Sequence, residues 1–385
     1  MFLVLPLNAL SAESDKLQFS GFSRVILGYL DDKNAEYIGY GNSVSASQQS
    51  LLGLQADYRF NQDLSFTGQV IGHTGELRLS GVEWLYFTYT PTNALRIKLG
   101  KQRIPFFNYS DSLDVGFAYP WLTLPQQFYD TVFFSTFEGI LANYEWVIDD
   151  WVIDFEGYWG RYDDKIYLAS GEIDTKVTGL FGGSTGFMYQ NWSFSAAYNQ
   201  GNAHLFLPEV IEFTDVLNQY GFTQNANWLN GDGLMHFYQL SLNYENLDYF
   251  FRSEMAKMKG ESGPVPDIDS FYLSAGYNFS SFTLYISYSE RDVYFEHLAS
   301  LIPLGVSDEL NILAAAYESI IGGFPDDKTT GTKIGLRWDW QYNIALKAEL
   351  TLIEADKVSN DFALQDLGGF DNSALLYQLG LEWVF

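Results

Sequence analysis

Apolar and polar residues alternate with a period of two along most of the chain. Between residues 282 and 289 one face carries Phe, Leu, Ile and Tyr, while the other carries Thr, Tyr and two Ser. Similar alternation recurs at 192–198, 236–244, 332–340 and 343–352. Successive side chains of a strand point to opposite faces, so about sixteen segments of this kind, each of roughly 9–13 residues, predict an all-β chain.

The connections between these segments alternate between short and long. Short turns, which suit tight hairpins, are predicted at 61–63, 91–94, 148–150, 190–191, 245–246, 280–281 and 341–343. Long loops are predicted at 31–48, 74–80, 104–136, 163–174, 200–235, 259–267, 292–328 and 357–372. Short turns at one end and long loops at the other are typical of an outer-membrane barrel. We therefore predict a transmembrane antiparallel β-barrel of about 16 strands, a single domain over residues 13–385.

The last nine residues, YQLGLEWVF, continue the alternation to Phe385. Tyr377 and every second residue after it are predicted to face lipid, and Gln378 and Glu382 to face the lumen. In a barrel the last strand pairs with the first, which removes both open edges. This ending also resembles the C-terminal signal that the barrel-assembly machinery of the outer membrane recognises. The predicted partners are therefore that machinery, through Phe385, together with outer-membrane lipid and lipopolysaccharide.

Composition supports a chain that is apolar on one face only. Aromatic residues make up 18% of it, yet the mean hydropathy is -0.08. The sequence contains no run of about 18 apolar residues, so it does not predict a membrane-spanning helix. The apolar stretch at 1–12 is predicted to be the remnant of a truncated signal peptide. There is no cysteine, which excludes disulfides and thiol nucleophiles. The net charge of -27 argues against nucleic acid as a partner.

Motifs for catalysis or metal binding are absent from the sequence. The four His residues lack metal-ligand spacing, and no HExxH, GxSxG or phosphate-binding glycine pattern occurs. His73, near an outer strand end, is the one catalytic candidate, but a lone His is more often structural. The sequence DDK occurs three times in predicted loops, where solvation explains it better than Ca²⁺ binding. We predict no enzyme activity, no cofactor and no metal site.

Two long loops have distinctive compositions. The loop at 104–136 is rich in Pro and aromatic residues, too many of the latter for a disordered segment. We predict that it folds into the barrel, buries those rings and constricts the pore. In the loop at 292–328, Ser307 and the acidic pair after it predict the start of a short helix on the extracellular rim, which ends at Gly322.

The parity of each strand predicts which charges face the lumen. The basic ones are Arg24, Arg59, Arg96, Lys98, Lys333, Arg337 and Lys347. Closure would bring most of them together as one basic wall, opposite the acidic loop residues Asp111, Asp114 and Asp130. Such an arrangement sets up a transverse field that selects among solutes. The alternative is that each cation pairs with a neighbour in the lumen such as Asp57, Asp339 or Glu349.

The loop segment LGKQRIPFFNYSDSLDVGFAYPW, residues 99–121, resembles the constriction-loop entry of the general porins of Gram-negative bacteria. The loop motif of the best-known enteric porins is absent. The resemblance covers essentially the whole chain and lies in the order and position of strands and loops. It implies a sixteen-stranded homotrimer in the outer membrane. It also implies that Arg24, Arg59 and Arg96 occupy the positions of the arginine cluster of porins. Asp111 and Asp114 would then occupy the positions of the acidic residues of the porin constriction loop.

The predicted function is passive diffusion of small hydrophilic solutes and ions through a water-filled channel. A sugar-specific channel is the first alternative, because aromatic rings in a pore offer stacking surfaces. Its candidate rings are Tyr158, Phe250, Tyr272 and Tyr285 on the wall, and Phe117, Tyr119 and Trp121 in the loop. The second alternative is a surface receptor or adhesin that binds through the long loops.

Overall fold

A computed structural model describes residues 16–75, 80–168, 171–356, 361–364 and 369–385. The predicted signal remnant at 1–12 lies outside these ranges. Within them, no helix has both the length and the apolar character needed to cross a membrane.

Sixteen strands form a closed antiparallel barrel, as predicted. Each strand pairs with its sequence neighbours in the barrel, and β1 also pairs with β18. The barrel strands are β1 (Leu17–Leu30), β3 (Leu51–Arg59), β4 (Leu64–His73), β5 (Gly81–Tyr89), β6 (Leu95–Arg103), β7 (Thr136–Ile148), β8 (Trp151–Leu168), β9 (Gly171–Tyr189), β10 (Trp192–Phe206), β11 (Asp232–Glu245), β12 (Tyr249–Gly260), β13 (Asp267–Phe279), β14 (Phe282–Tyr294), β15 (Asp327–Gln341), β16 (Ile344–Ala355) and β18 (Ser373–Val384). The short strands β2 (Ala35–Tyr37) and β17 (Phe362–Leu364) form a separate two-stranded sheet.

The seam between β1 and β18 closes the barrel. Phe22 pairs with Val384 and Arg24 with Glu382 in this register. Beyond the last strand residue, the Gly21 and Phe385 backbones exchange two hydrogen bonds of 2.8 and 2.9 Å. The sheet therefore has no open edge here, as a backbone in lipid requires.

The outer face of the barrel is an apolar belt. Leu379 is 59% exposed and Trp159 is 65% exposed, while the inward Gln378 and Glu382 are buried, so the predicted faces of β18 are confirmed. Aromatic rings gather at the short-turn end, where Trp151 stacks on Tyr189 with ring centroids 4.6 Å apart. An apolar belt edged by aromatic rings is the surface that lipid and headgroups require.

All seven short turns fall where the sequence predicted them, but two long loops differ from the prediction. Within the predicted loop at 163–174, residues 163–168 instead extend β8 and residues 171–174 extend β9, and residues 169 and 170 lie outside the described ranges. Cross-strand ion pairs hold this extension together, since Lys165 lies 2.6 Å from Glu172 and Lys176 lies 3.5 Å from Asp163. Charged residues lie on both faces of these strand ends, so the sequence shows no alternation of apolar and polar residues here. The predicted loop at 200–235 instead begins and ends inside β10 and β11.

Helices cover part of the long-loop end. The predicted helix is confirmed as α4 (Asp308–Ile321), and the Ser307 hydroxyl accepts a hydrogen bond from the Leu310 N–H. Two more helices, α2 (Pro208–Gln219) and α3 (Thr223–Leu229), were not predicted. They form one apolar cluster with α4, whose most buried members are Leu217, Leu229 and Tyr317.

The β2–β17 sheet closes another part of this end. Tyr37 and Phe362 pack with ring centroids 5.3 Å apart, within an apolar cluster that includes Ile26 and Leu376 of the barrel wall. Gln127 of the inner loop donates to the Tyr37 hydroxyl at 3.0 Å. The small sheet therefore packs on the inner wall and contacts the inner loop.

Candidate functional site

The segment 104–135, between β6 and β7, lies inside the barrel, which confirms the predicted infolding. It contains a 3₁₀ turn, Gly116–Ala118, and the short helix α1 (Gln126–Tyr129). The Trp121 ring is fully buried, and its Nε1 donates to Ser274 Oγ at 3.1 Å. Thr131 hydrogen-bonds Ser270, also on β13, at 3.0 Å. We call this segment the inner loop.

Aromatic packing covers most of the rings proposed for sugar stacking. Tyr272 on the wall meets Trp121 edge-on, with centroids 5.7 Å apart, and meets Phe128 at 5.2 Å. Tyr158, Phe250 and Tyr285 are likewise buried in the lumen. In the inner loop, Phe117 lies under the Arg337 guanidinium, which is 4.7 Å from its ring centroid.

Lys347 on β16 binds the inner loop through its backbone. Its Nζ donates to the carbonyl oxygens of Gly116, Tyr119 and Trp121 at 2.7–2.8 Å. Its counter-charge is Glu382 on β18, at 2.6 Å. Gly116 is required at this contact, because a Cβ there would lie 2.0 Å from Glu382 Oε1. The ammonium and its partner together dock one turn of the loop onto the wall.

Lys333 on β15 makes a second clamp of the same kind. Its Nζ donates to the Thr123 carbonyl and hydroxyl at 2.9 and 2.7 Å, and to Glu349 at 2.9 Å. Glu349 also accepts hydrogen bonds from the Leu122 N–H at 3.2 Å and from the Tyr285 hydroxyl at 2.8 Å. Both side chains of the Lys333–Glu349 ion pair are buried, and both make several further hydrogen bonds that compensate for the loss of water.

Arg337 on β15 is the third cation of the wall that binds the inner loop. Its guanidinium donates to the carbonyl oxygens of Phe117 and Tyr119 at 2.8 Å and to Asp339 at 2.8 Å. These three cations of the predicted basic wall therefore face loop carbonyls, not loop carboxylates. Their counter-charges belong to the barrel itself, which is the alternative that the sequence left open for Asp339 and Glu349.

Glu254 on β12 anchors the opposite side of the inner loop, a role that no pattern in the sequence indicates. Four groups donate to its carboxylate: the Asn108 N–H at 2.9 Å, the Tyr129 hydroxyl at 2.5 Å, the Tyr272 hydroxyl at 2.9 Å and Gln239 Nε2 at 2.8 Å. Two of these donors come from the loop and two from the wall. Their spacing along the chain carries no signal, because the loop's path alone brings them together.

Arg24 and the acidic loop residues fall into different places. The Arg24 guanidinium donates to the Gln49 carbonyl at 2.9 Å and to the Tyr119 hydroxyl at 3.2 Å. Asp114 is buried in an ion pair with Arg103, which was not among the predicted lumen charges. Arg103 also contacts Glu83 at 2.8 Å. Asp130, by contrast, is exposed to the lumen at the end of α1.

A second set of charges remains open to the lumen. Arg59, Arg96 and Asp111 are exposed, and Lys98 lies half-buried over the Tyr86 ring at 5.2 Å. The Glu156 carboxyl lies within electrostatic reach of Asp111, Lys98, Asp154 and Arg96. These charges therefore share one region of the lumen. Asn143 holds Asp154 with hydrogen bonds of 2.8 and 2.9 Å. Of the predicted charges, Lys333, Arg337 and Lys347 thus clamp the loop, whereas Arg59, Arg96, Lys98 and Asp111 belong to this open group.

A cavity of about 540 Å³ lies on the other side of the inner loop. It is bounded by loop residues such as Ser110, Leu113 and Tyr129 and by the upper parts of β4–β6 and β8, including His73 and Glu83. Within the described residues, no group of three or more His, Asp or Glu side chains could hold a metal ion.

A closed sixteen-stranded barrel, apolar outside and ionisable inside, with a loop folded into its lumen, is the porin-type fold of Gram-negative outer membranes. The chain is thus an outer-membrane β-barrel protein. No protein-family model matches it, and no curated protein does either.

Solved structures with the same fold include three outer-membrane proteins. A loop L8 deletion mutant of OmpT from Vibrio cholerae shares 14% identity with a TM-score of 0.57, over 96% of this chain and 99% of that one. The anion-selective porin from Comamonas acidovorans shares 14% identity with a TM-score of 0.55, over 96% and 99% of the two chains. Salmonella typhi OmpF, in a complex with daunomycin, shares 11% identity with a TM-score of 0.55, over 96% and 97%. OmpT has also been solved in a trimer form.

Proposed function

We propose that this barrel is a porin, a channel for the passive diffusion of small hydrophilic solutes and ions. The observation that carries the proposal is the open charge group in the lumen. Arg96 and Asp111 are exposed there, with no lipid or protein layer over them. Exposed ionised groups require water, so the lumen on this side of the inner loop is hydrated. Barrels of sixteen or more strands enclose enough space for such a channel.

The inner loop fits the role of a fixed constriction. Lys347, Lys333 and Glu254 hold it on two sides through hydrogen bonds to its backbone and side chains. A loop anchored in this way keeps its position while solutes pass, so the pore has a constant neck. Selectivity then depends on the charges that stay open beside the neck, namely Arg96, Lys98, Asp111, Asp154 and Glu156.

The proposal includes a homotrimer, and the height of the barrel wall supports it. Strands β3–β6 have 9–10 residues, whereas β8 and β9 have 18 and 19. The low side exposes aliphatic residues such as Leu52, Leu85 and Leu99. A low, aliphatic wall suits packing against another barrel, because no tall rim stands between the copies. Lipid, lipopolysaccharide and the assembly machinery remain predicted partners of the rest of the outer face.

The test is conductance of the detergent-purified protein in planar bilayers under a salt gradient. We expect stepwise channels, closing in threes, with a measurable reversal potential. A correctly folded barrel without conductance would refute the proposal and direct attention to the extracellular loops. Steps of a single size that never occur in groups of three would refute the trimer alone.

A further inference from the structure

The cavity above the inner loop is lined by aromatic rings as well as charges. We call it the outer vestibule. Phe106, Phe107, Tyr129, Phe133 and Phe134 of the loop line it, and Tyr162 of β8 faces them. Phe134 stacks on Tyr162 with centroids 4.7 Å apart and planes 29° apart. The vestibule thus has a continuous aromatic side in an otherwise hydrophilic passage.

Phe133 differs from its neighbours. Its side chain is 42% exposed, and among the described residues it makes no contact with another aromatic ring. The adjacent rings do, since Phe106 and Phe107 each pack within 5.4 Å of Phe237. An apolar ring left partly in water gains when a solute covers it, so the open face of Phe133 is available to a solute.

Polar groups accompany the open ring on the same side of the loop. Asp130 precedes Phe133 by three residues and Gln126 precedes Asp130 by four, and all three line the vestibule. Asp130 is exposed, and within the described part of the chain the charges of Arg291 and Lys333 act on its carboxylate without a hydrogen bond to it. A flat apolar ring beside an open carboxylate and an amide matches a molecule with an apolar face and a hydroxylated rim.

Most charges of the vestibule are paired with each other, which favours a neutral solute. Arg103 contacts both Glu83 and Asp114, and Lys101 lies 3.9 Å from Asp164. Paired charges attract an ion weakly but still supply hydrogen-bonding groups. The volume of about 540 Å³ lies within the range of small-molecule sites, about 300–1,000 Å³.

We propose that the outer vestibule binds a neutral sugar of one or two rings before it reaches the neck. Phe133 packs against the C–H face of a ring, and Asp130 and Gln126 hydrogen-bond its hydroxyls. This site differs from the buried rings that the sequence suggested, because the loop covers those. The inference rests on the proposed channel function and adds a substrate class to it.

The experiment is saturation-transfer NMR on the full, detergent-purified barrel with glucose, galactose, N-acetylglucosamine and maltose as probes. We expect transfer to ring C–H protons of at least one sugar. Phe133→Ala should reduce it at least fivefold, whereas Phe133→Trp should retain it. Asp130→Leu should weaken it, and Asp130→Asn should weaken it less. The matched control is Phe181→Ala, because Phe181 has the same 42% exposure but faces lipid.

Conductance of the same samples separates the two proposals. Open channels without saturation transfer from any of the four sugars would overturn the sugar site and leave the channel standing. Saturation transfer in a barrel that does not conduct would uphold the site and refute the channel. Equal transfer in wild type and Phe133→Ala, with both proteins folded, would also overturn the inference, since the ring would then make no contact with the sugar.

Discussion

Lys347 and Glu382 form an ion pair of 2.6 Å whose side chains are only 0% and 1% exposed. The pair joins β16 to β18, next to the seam that closes the barrel. The Lys347 ammonium donates hydrogen bonds to three loop carbonyls, so this one group links β16, the Glu382 carboxylate and the inner loop. Loop position and barrel closure are therefore coupled at this one residue.

Removing the cation at this position is expected to free the loop and weaken the barrel. Lys347→Met leaves Glu382 buried without a counter-charge, which costs about 3–5 kcal/mol when a buried pair is broken. The three carbonyls also lose their donor. We expect larger and noisier single-channel conductance and a lower unfolding temperature, measured in bilayers and by heat-induced loss of the compact band in gel electrophoresis.

The double variant Lys347→Met with Glu382→Gln separates the two effects. Neutralising the carboxylate removes the unpaired buried charge, so part of the stability should return. The loop carbonyls still lack their clamp, so the conductance should remain noisy. Full recovery of quiet conductance in the double variant would contradict the clamp and leave only a charge effect.

A second prediction concerns the anchor on the opposite wall. Glu254→Ala deprives the Tyr129 and Tyr272 hydroxyls and the Asn108 N–H of their acceptor, in a buried setting. Each buried group left unsatisfied costs about 1–3 kcal/mol. We expect a lower unfolding temperature and flickering current, and Glu254→Gln should do less harm because its carbonyl oxygen still accepts. Equal behaviour of both variants would argue against an acceptor role.

The barrel could be predicted from the sequence because parity alone decides which face a strand residue occupies. Gln378 and Glu382 were assigned to the lumen in this way, correctly. What lies opposite each inward residue depends on the path of the inner loop, which has no periodicity. Lys347 was therefore predicted to face acidic loop residues, whereas it contacts carbonyls. Glu254 and Arg103 were missed for the same reason, since their partners are distant in sequence.

A third prediction tests the close packing of the wall under the loop. Gly335 on β15 faces the Tyr285 ring, and a Cβ there would lie 2.1 Å from its hydroxyl oxygen. Gly335→Ala should displace Tyr285 from Glu349 and destabilise the barrel by about 1–3 kcal/mol, the usual cost of overpacking. Gly157→Ala on β8 is the control, because the atom nearest to a Cβ there, the Gly182 carbonyl oxygen, would be 3.8 Å away. Equal unfolding temperatures of the two variants would show that the wall yields at Gly335.

The last prediction concerns ion selectivity, which the open charge group should control. Arg96→Gln with Lys98→Gln removes two cations from the hydrated lumen, so the reversal potential in a salt gradient should move toward cations. Asp154→Asn with Glu156→Gln should move it the other way. Both shifts should shrink at high salt, because the screening length falls from about 10 Å at 0.1 M to about 3 Å at 1 M.

The control for these shifts is Lys257→Gln. Lys257 is a partly exposed lysine paired with Asp269 at 2.6 Å, and it alternates with the inward Ala256 and Met258 on β12, so its side chain points away from the lumen. Its loss should leave the reversal potential unchanged. Arg24, although predicted for the constriction, is held by Gln49 and Tyr119, so Arg24→Gln should disturb the loop more than the selectivity. If Arg24→Gln alone shifts the potential while the Arg96 and Lys98 variant does not, the selective charges lie at the loop and not in the open group.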